Sequence, residues 1–143
     1  MAVVKAIRVR SARQDEATVL LELWRAAGAE PRVGEDAFSV RRLLDQQPSG
    51  VLVAECDGAV VGSLIAKWDG WRGNMYRLAV LPSYRRRGIA RALVEEGERR
   101  LRDQGCARVS AIVMREHDWA VGFWRAVTYT HDERVFRFVR NMD

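Results

Sequence analysis

The stretch GVLVAECDGAVVGSLIAKW, residues 50–68, constrains the fold more than any other part of the 143-residue chain. It contains two runs rich in β-branched residues, and Asp57-Gly58 separates them. Asp-Gly pairs readily adopt positive φ, which the tight turn of a two-stranded hairpin requires. The stretch therefore predicts an antiparallel β-hairpin in the middle of the chain.

Hydrophobic periodicity and stop signals predict the other elements. Before the hairpin they indicate a strand from Lys5 to Arg10, an amphipathic helix that ends at Gly28, and a short helix capped by Asp36. After it they indicate the strand MYRLAV (75–80), a helix from about Gly88 to Asp103, the strand ARVSAIVM (107–114), the helix DWAVGFWRAV (118–127) and the strand ERVFRFVR (133–140). The order β-α-α-β-β-β-α-β-α-β predicts an α/β protein with a mixed sheet and helices on its faces.

Composition excludes several classes of protein. With 48% hydrophobic and 30% charged residues, the chain is typical of a globular domain. No apolar run approaches the roughly 20 residues that cross a bilayer, and the N-terminal apolar stretch is too short for a secretory signal, so a cytoplasmic protein is expected. Two cysteines and two histidines show no zinc-type spacing, so no metal is predicted.

The net charge of +5 leaves two kinds of partner open. Nucleic acid is the less favoured one, because the arginines are spread along the chain and no aromatic-interleaved RNA-binding signature is present. An acidic small ligand explains the basic surface equally well.

The start of the long helix carries the strongest functional signal. The stretch LPSYRRRGIARALVEE (81–96) contains this helix start and has no carboxylate before Glu95. Four arginines surround the helix start: Arg85, Arg86, Arg87 and Arg91. A helix N-terminus is already partially positive, and here further cations surround it in place of carboxylates. This concentration of positive charge favours the binding of an anion that is not part of the protein. Free N–H groups of the first turn and the missing side chain of Gly88 would form a phosphate cradle. The alternative is that the arginines form a solvated face.

The motif RRRGIA (85–90) resembles the Arg/Gln-x-x-Gly-x-Gly/Ala signature of the GNAT superfamily of N-acetyltransferases. With the late segment AVGFWRAVTY (120–129), the resemblance extends over about residues 5–139. It implies a GNAT-like mixed sheet of six to seven strands, about four helices and a single N-acetyltransferase domain over residues 1–143. It also implies acetyl-CoA as co-substrate and direct acetyl transfer to an amine of a small molecule, peptide or protein in a ternary complex. Dimerisation is common among similar proteins, so a homodimer is a further expectation.

The resemblance also implies where acetyl-CoA is held. The pyrophosphate would meet the backbone N–H groups of residues 86–91, and the pantetheine arm would pair with the backbone of residues 79 and 80, where the strands MYRLAV and ARVSAIVM splay. The cofactor-binding residues expected on this basis are Ala79, Val80, Arg85, Arg86, Arg87, Gly88, Ile89, Ala90, Arg91 and Trp124.

The chain departs from the family pattern at the expected base. Similar enzymes polarise the thioester carbonyl with a backbone N–H of the central strand, and a nearby Glu often takes the amine proton. The strand MYRLAV has no Glu, and Tyr76 and Arg77 stand there instead. Proton removal then falls to a loop residue such as Asp69, or to bulk water.

The expected acid is also replaced. Trp124 stands where the family's helix usually carries the Tyr that protonates the CoA sulfur, and His117 stands at the usual Asn. His117 is the candidate catalytic residue because imidazole titrates near neutrality, and the alternatives are that it caps the helix or contacts CoA. Tyr76, Tyr84 and Tyr129 are other candidate acids. These departures leave a catalytically degenerate CoA-binding protein as the alternative function.

Overall fold

The structure, a computed structural model, describes residues 6–142. Its strands and helices run in the order β1 (Ile7–Ser11), α1 (Ala17–Ala26), α2 (Ala37–Gln46), β2 (Val51–Cys56), β3 (Ala59–Trp68), β4 (Gly73–Val80), α3 (Ile89–Asp103), β5 (Val109–Ala111) and α4 (Asp118–Ala126). The five strands form one mixed sheet in the order β1-β2-β3-β4-β5, in which only the β4–β5 pair is parallel. The predicted α/β class is confirmed. No helix in this part of the chain is long and apolar enough to span a membrane.

The hairpin that the sequence predicts is formed by β2 and β3. Cys56 pairs with Ala59, and the two residues between them have the positive φ that the turn demands, 52° at Asp57 and 78° at Gly58. Both strands are buried along most of their length, so the hairpin lies in the interior of the sheet.

Helices cover both faces of the sheet. On one face, α1 and α2 contribute Leu20, Trp24, Val40 and Leu44 to a core with Val51, Val53 and Ile65. Asp36 starts α2 as expected, because its carboxylate accepts the Ser39 N–H at 2.7 Å. On the other face, α3 packs through Gly97, where an added Cβ would lie 3.0 Å from both Leu64 Cδ2 and Met75 Cε. The helix approaches the sheet this closely only because that position lacks a side chain.

The prediction of a sheet of six to seven strands is wrong for the described residues, and so is the closing strand over residues 133–140. That segment forms no strand, and its apolar side chains are exposed: Val135, Phe136, Phe138 and Val139. Alternating apolar residues form a strand only where a neighbouring strand accepts their hydrogen bonds. The edge strand β5 is three residues long, much shorter than the predicted 107–114.

Contacts divide the chain into two compact units. The first extends to Ile112 and holds the sheet with α1, α2 and α3, and the second begins at Val113 and holds α4. In the second unit, Trp124 is buried and packs edge-to-face against Phe123 and Tyr129, with ring centroids 5.5 and 4.7 Å away. These three rings form an aromatic cluster within the C-terminal unit.

A buried carboxylate at the start of α1 predicts acid-sensitive stability. Glu16 accepts two hydrogen bonds from Arg10, at 2.7 and 2.9 Å, and one from the Arg13 N–H at 2.7 Å. The Arg10 guanidinium is the main cause that lowers the pKa of Glu16 below its usual value of 4.5, while burial opposes the shift. The stabilisation is therefore present above pH 4.5 and is lost as the pH falls through the lower pKa of the folded state.

We expect Glu16→Gln to lower the free energy of unfolding by about 2 kcal/mol at neutral pH, because it removes the charge that Arg10 binds. The difference from wild type should shrink when urea unfolding is repeated near pH 3. Glu22→Gln, at an exposed position of α1, serves as the control and should change little at either pH. A difference for Glu16→Gln that does not depend on pH would contradict this account of the stability.

Candidate active site

The turn between β4 and α3 has the backbone geometry of an anion site. Arg86 and Gly88 have positive φ of 63° and 81°, and Arg87 between them does not, an alternation that directs successive N–H groups into one concavity. Helix α3 begins at Ile89, and no side chain caps it. The first N–H groups of the helix therefore lack intrahelical partners and face the same end as its positive dipole.

Space is available above this turn. A Cβ built on Gly88 would meet nothing within 4 Å, so the side chain of another residue there would project into the open region above the turn. This combination of open space, converging N–H groups and a helix N-terminus is suited to bind a phosphate group.

The four arginines of the turn have different environments. Arg85 points inward, donating from Nε to the Val80 carbonyl at 3.1 Å and from Nη2 to the Ala27 carbonyl at 3.0 Å. Arg87 lies over the ring of Tyr84, 5.1 Å from its centroid. Arg86 and Arg91 are exposed and form no ion pair with the described residues. Arg85 thus fixes the turn against the end of α1, while the other three supply exposed positive charge.

A bulge interrupts β4 before it reaches this turn. Ser63 pairs with Ala79 and Ile65 pairs with Tyr76, so two residues of β4, Arg77 and Leu78, face one residue of β3. Arg77 takes a left-handed conformation with φ of 53°.

The side chain of Arg77 extends to the loop between α1 and α2. Its Nε donates to Glu35 Oε1 at 2.6 Å, and Nη2 donates to the Glu30 carbonyl at 3.0 Å. The guanidinium also lies 5.3 Å from the centre of the Trp24 ring. Arg85 and Arg77 together attach both ends of this loop, residues 27–35, to the central strand.

The bulge determines which backbone groups of β4 face its open side. The Arg77 carbonyl accepts the Ser63 hydroxyl at 2.9 Å and therefore points toward β3. In a trans peptide the following N–H points the opposite way, so the Leu78 N–H faces away from β3. Parallel pairing with β5 extends only from Gly73 to Met75, so no described strand covers β4 at Leu78.

The expected pantetheine contacts fall unequally on this edge. The Leu81 N–H donates to the Val61 carbonyl of β3 at 2.9 Å, so by alternation the backbone groups of Val80 face away from β3 and those of Ala79 face toward it. Arg85 occupies the Val80 carbonyl, which leaves the Val80 N–H for a ligand on this side. The geometry thus offers the N–H groups of Leu78 and Val80.

The residues considered for proton transfer are distributed over both units. His117 is the N-cap residue of α4 in the second unit, where its backbone carbonyl accepts from Ala120 and Val121 and its side chain forms no capping hydrogen bond. Asp69 accepts the N–H groups of Trp71 and Arg72, and these bonds lower the pKa of its carboxylate, which makes it a poor base. Burial raises the pKa of the Tyr76 phenol, so this group stays protonated at neutral pH. Among the described residues, no group of three or more His, Cys, Asp or Glu could hold a metal ion.

Sequence reasoning missed Ser63 and Leu78 as site residues. One signal was available: Arg77 interrupts an otherwise apolar strand, and the apolar run LAV after it breaks the two-residue alternation. Such a break is typical of a bulge, but it does not identify the partner of the freed carbonyl.

The fold and the site define an α/β protein whose bulged central strand leads into a turn with the backbone geometry of an anion site. The family profile described as the acetyltransferase (GNAT) family matches residues 17–129. The chain therefore belongs to the GNAT acetyltransferase family.

Relatives and solved structures agree with this assignment. An acetyltransferase of Pectobacterium atrosepticum is 32% identical over 123 residues, which cover 86% of this chain and 87% of the relative. An acetyltransferase of Sodalis glossinidius is 32% identical over 129 residues, covering 90% and 91%.

Two solved structures share the fold. PaiA N-acetyltransferase from Thermoplasma acidophilum, in complex with coenzyme A, has a TM-score of 0.80 at 17% identity and covers 90% of this chain and 92% of its own. Aminoglycoside N-acetyltransferase AAC(6')-Iy, in complex with CoA, has a TM-score of 0.77 at 17% identity and covers 99% of both chains.

Proposed function

We propose that the protein transfers the acetyl group of acetyl-CoA to an amine of a small molecule, peptide or protein by direct transfer in a ternary complex. The observation that carries the proposal is the uncapped start of α3, where alternating backbone conformations at residues 86–88 and exposed arginines converge. Two structural neighbours with CoA bound support the same ligand.

The chain's own groups suit the parts of this ligand. The N–H groups of residues 86–91 would hold the diphosphate, with Arg86, Arg87 and Arg91 neutralising its charge. The Val80 N–H would pair with the pantetheine arm, and Trp124 stays a proposed contact in the C-terminal unit. Acetyl-CoA supplies a thioester-activated acetyl group.

The Leu78 N–H is the proposed donor to the thioester carbonyl oxygen. A fixed N–H that faces the place where negative charge develops lowers the barrier, and the bulge leaves this group without a strand partner on that side. The amine must arrive without its proton. His117 stays the proposed catalytic residue, as a substitute for the Tyr that protonates the CoA sulfur in similar enzymes.

Release of free thiol from acetyl-CoA tests this function directly. A panel of amines, including amino acids, polyamines, aminoglycosides and peptide N-termini, is incubated with the protein and acetyl-CoA, and CoA binding is measured by calorimetry. Thiol release that requires both the protein and one class of amine is expected. Failure of CoA to bind at high micromolar concentration in low salt would remove the proposal.

One observation favours a second candidate, a CoA-binding protein without turnover. Trp124 fills the position usual for a Tyr acid and is buried between two aromatic rings, and an indole N–H is a poor proton source. CoA binding without thiol release above the uncatalysed background for any amine would establish this candidate. The variant Trp124→Tyr should then restore release if the missing acid is the cause.

The exposed arginines of the turn are expected to contribute to CoA affinity in a salt-dependent way. We expect Arg86→Ala and Arg91→Ala each to weaken CoA binding about fivefold in low salt, because each removes one charge-assisted contact at the protein surface. The effect should diminish as salt screens exposed charges. Arg102→Ala, in the last turn of the same helix, is the matched control and should leave the Kd unchanged in calorimetry. Equal losses in all three variants would indicate a nonspecific effect of net charge.

A further inference from the structure

A buried hydrogen-bond relay connects α1, β3 and the bulge of β4. The Trp24 indole Nε1 lies 2.9 Å from the Ser63 hydroxyl, and the same hydroxyl lies 2.9 Å from the Arg77 carbonyl. Ser63 is completely buried, and Trp24 is 4% exposed. Both partners of the hydroxyl are protein groups, so water does not compete at this position.

The direction of the relay follows from the chemistry of its members. An indole N–H can only donate, and a carbonyl oxygen can only accept. The hydroxyl therefore accepts from Trp24 and gives its single proton to Arg77. This bond replaces the strand hydrogen bond that the bulge removes from the Arg77 carbonyl.

We infer that Ser63 is a positioning residue for the acetyl-transfer site. By binding the Arg77 carbonyl, the hydroxyl fixes the plane of the peptide between Arg77 and Leu78 and so aims the Leu78 N–H at the open side of β4. The inference rests on the proposed function, because the aimed N–H matters only if a thioester carbonyl lies there. Ser63 touches neither substrate and acts entirely through the backbone of β4.

The side chain of Arg77 does not fix the orientation of this peptide, so that role falls to Ser63. Arg77 holds the loop of Glu30 and Glu35 through its guanidinium, which is attached four bonds beyond the Cα and does not define the peptide plane. The left-handed φ of Arg77 is strained for a residue with a side chain, so the peptide needs a specific bond to stay in this orientation.

Binding of two CoA ligands distinguishes the orientation of the Leu78 N–H from the general affinity of the site for CoA. The ketone analogue of acetyl-CoA in which a methylene replaces the thioester sulfur keeps the carbonyl in place and lacks the labile thioester, whereas CoA has no carbonyl at that place. We expect wild type to bind this ketone analogue about threefold to tenfold more tightly than CoA, the value of one net hydrogen bond. In Ser63→Ala this ratio should fall to about one while the Kd of CoA changes less than about twofold.

The variant Trp24→Phe is the matched control. It removes the other hydrogen bond of the same hydroxyl and also leaves a small void, so it should destabilise the fold at least as much as Ser63→Ala. It keeps the bond from Ser63 to Arg77, so the preference for the ketone analogue should persist. Urea unfolding of both variants confirms that each is folded under the binding conditions.

The outcomes distinguish the inference from the proposed function. No binding of CoA by wild type removes both, and equal binding of the two ligands by wild type overturns the aimed N–H alone. A preference that survives in Ser63→Ala, or that is lost equally in Trp24→Phe, overturns the role of Ser63 and leaves the acetyltransferase proposal intact.

Discussion

Aspartate in place of Gly88 is expected to weaken CoA binding about 100- to 1000-fold. The turn places residue 88 at the helix start with open space above it, so a carboxylate there would project toward the proposed diphosphate site. Two like charges about 4 Å apart at a protein surface repel by about 4 kcal/mol, which corresponds to this loss. Calorimetry with CoA at low ionic strength measures it.

Asparagine at the same position separates charge from backbone strain. Gly88 has φ of 81°, and Asn and Asp are the residues with side chains that best tolerate this region. Both variants should therefore fold, and Gly88→Asn should lose no more than about tenfold in CoA affinity. If Asp and Asn weaken binding equally, the effect comes from shape and not from an anion at the turn. A wild-type Kd in Gly88→Asp would show that the diphosphate binds elsewhere.

Valine in place of Gly97 is expected to lower the free energy of unfolding by about 3 kcal/mol. The Cβ alone would lie 3.0 Å from Leu64 Cδ2 and Met75 Cε and 3.3 Å from Ala66 Cβ, and valine adds two methyl groups beyond it. Helix α3 would have to move away from the sheet, as overpacked cores do. Urea unfolding followed by circular dichroism measures the loss.

Two further variants identify the cause of that loss. Gly97→Ala should lie within about 1 kcal/mol of wild type, because the gain in helix propensity offsets the tight contacts. Gly122→Val, in α4, introduces the same residue where nothing lies within 4 Å of the Cβ, so it should not destabilise the protein. Destabilisation by Gly122→Val equal to that at position 97 would mean that valine is harmful to these helices in general.

The sequence predicted correctly those elements that are determined by residues within a few positions of each other. Asp57-Gly58 specifies the hairpin turn by its own φ preferences, and Asp36 caps α2 through an N–H three residues away. The geometry of the turn before α3 was also predictable, since a glycine, an uncapped helix start and cations lie within a few residues of each other.

The features that the sequence did not predict depend on partners far along the chain. The bulge at Arg77 is completed by Ser63, fourteen residues away, and the loop it holds is anchored through Glu35, forty-two residues away. The predicted closing strand ERVFRFVR (133–140) also needed a distant partner: its alternating pattern suits strand pairing, but no described strand pairs with it. Hydrophobic periodicity shows which secondary structure a segment can form, and tertiary contacts determine whether that structure forms.

The contact between Arg85 and Ala27 affects which loops from relatives can replace the loop after α1. Arg85 recognises a main-chain oxygen, which every amino acid carries, so residue 27 can vary in type without loss of this anchor. The anchor at Glu35 is different, because Arg77 binds a side-chain carboxylate there and not the main chain. A transplanted loop should thus be accepted when it restores an acidic residue at its far end, whatever its near end contains.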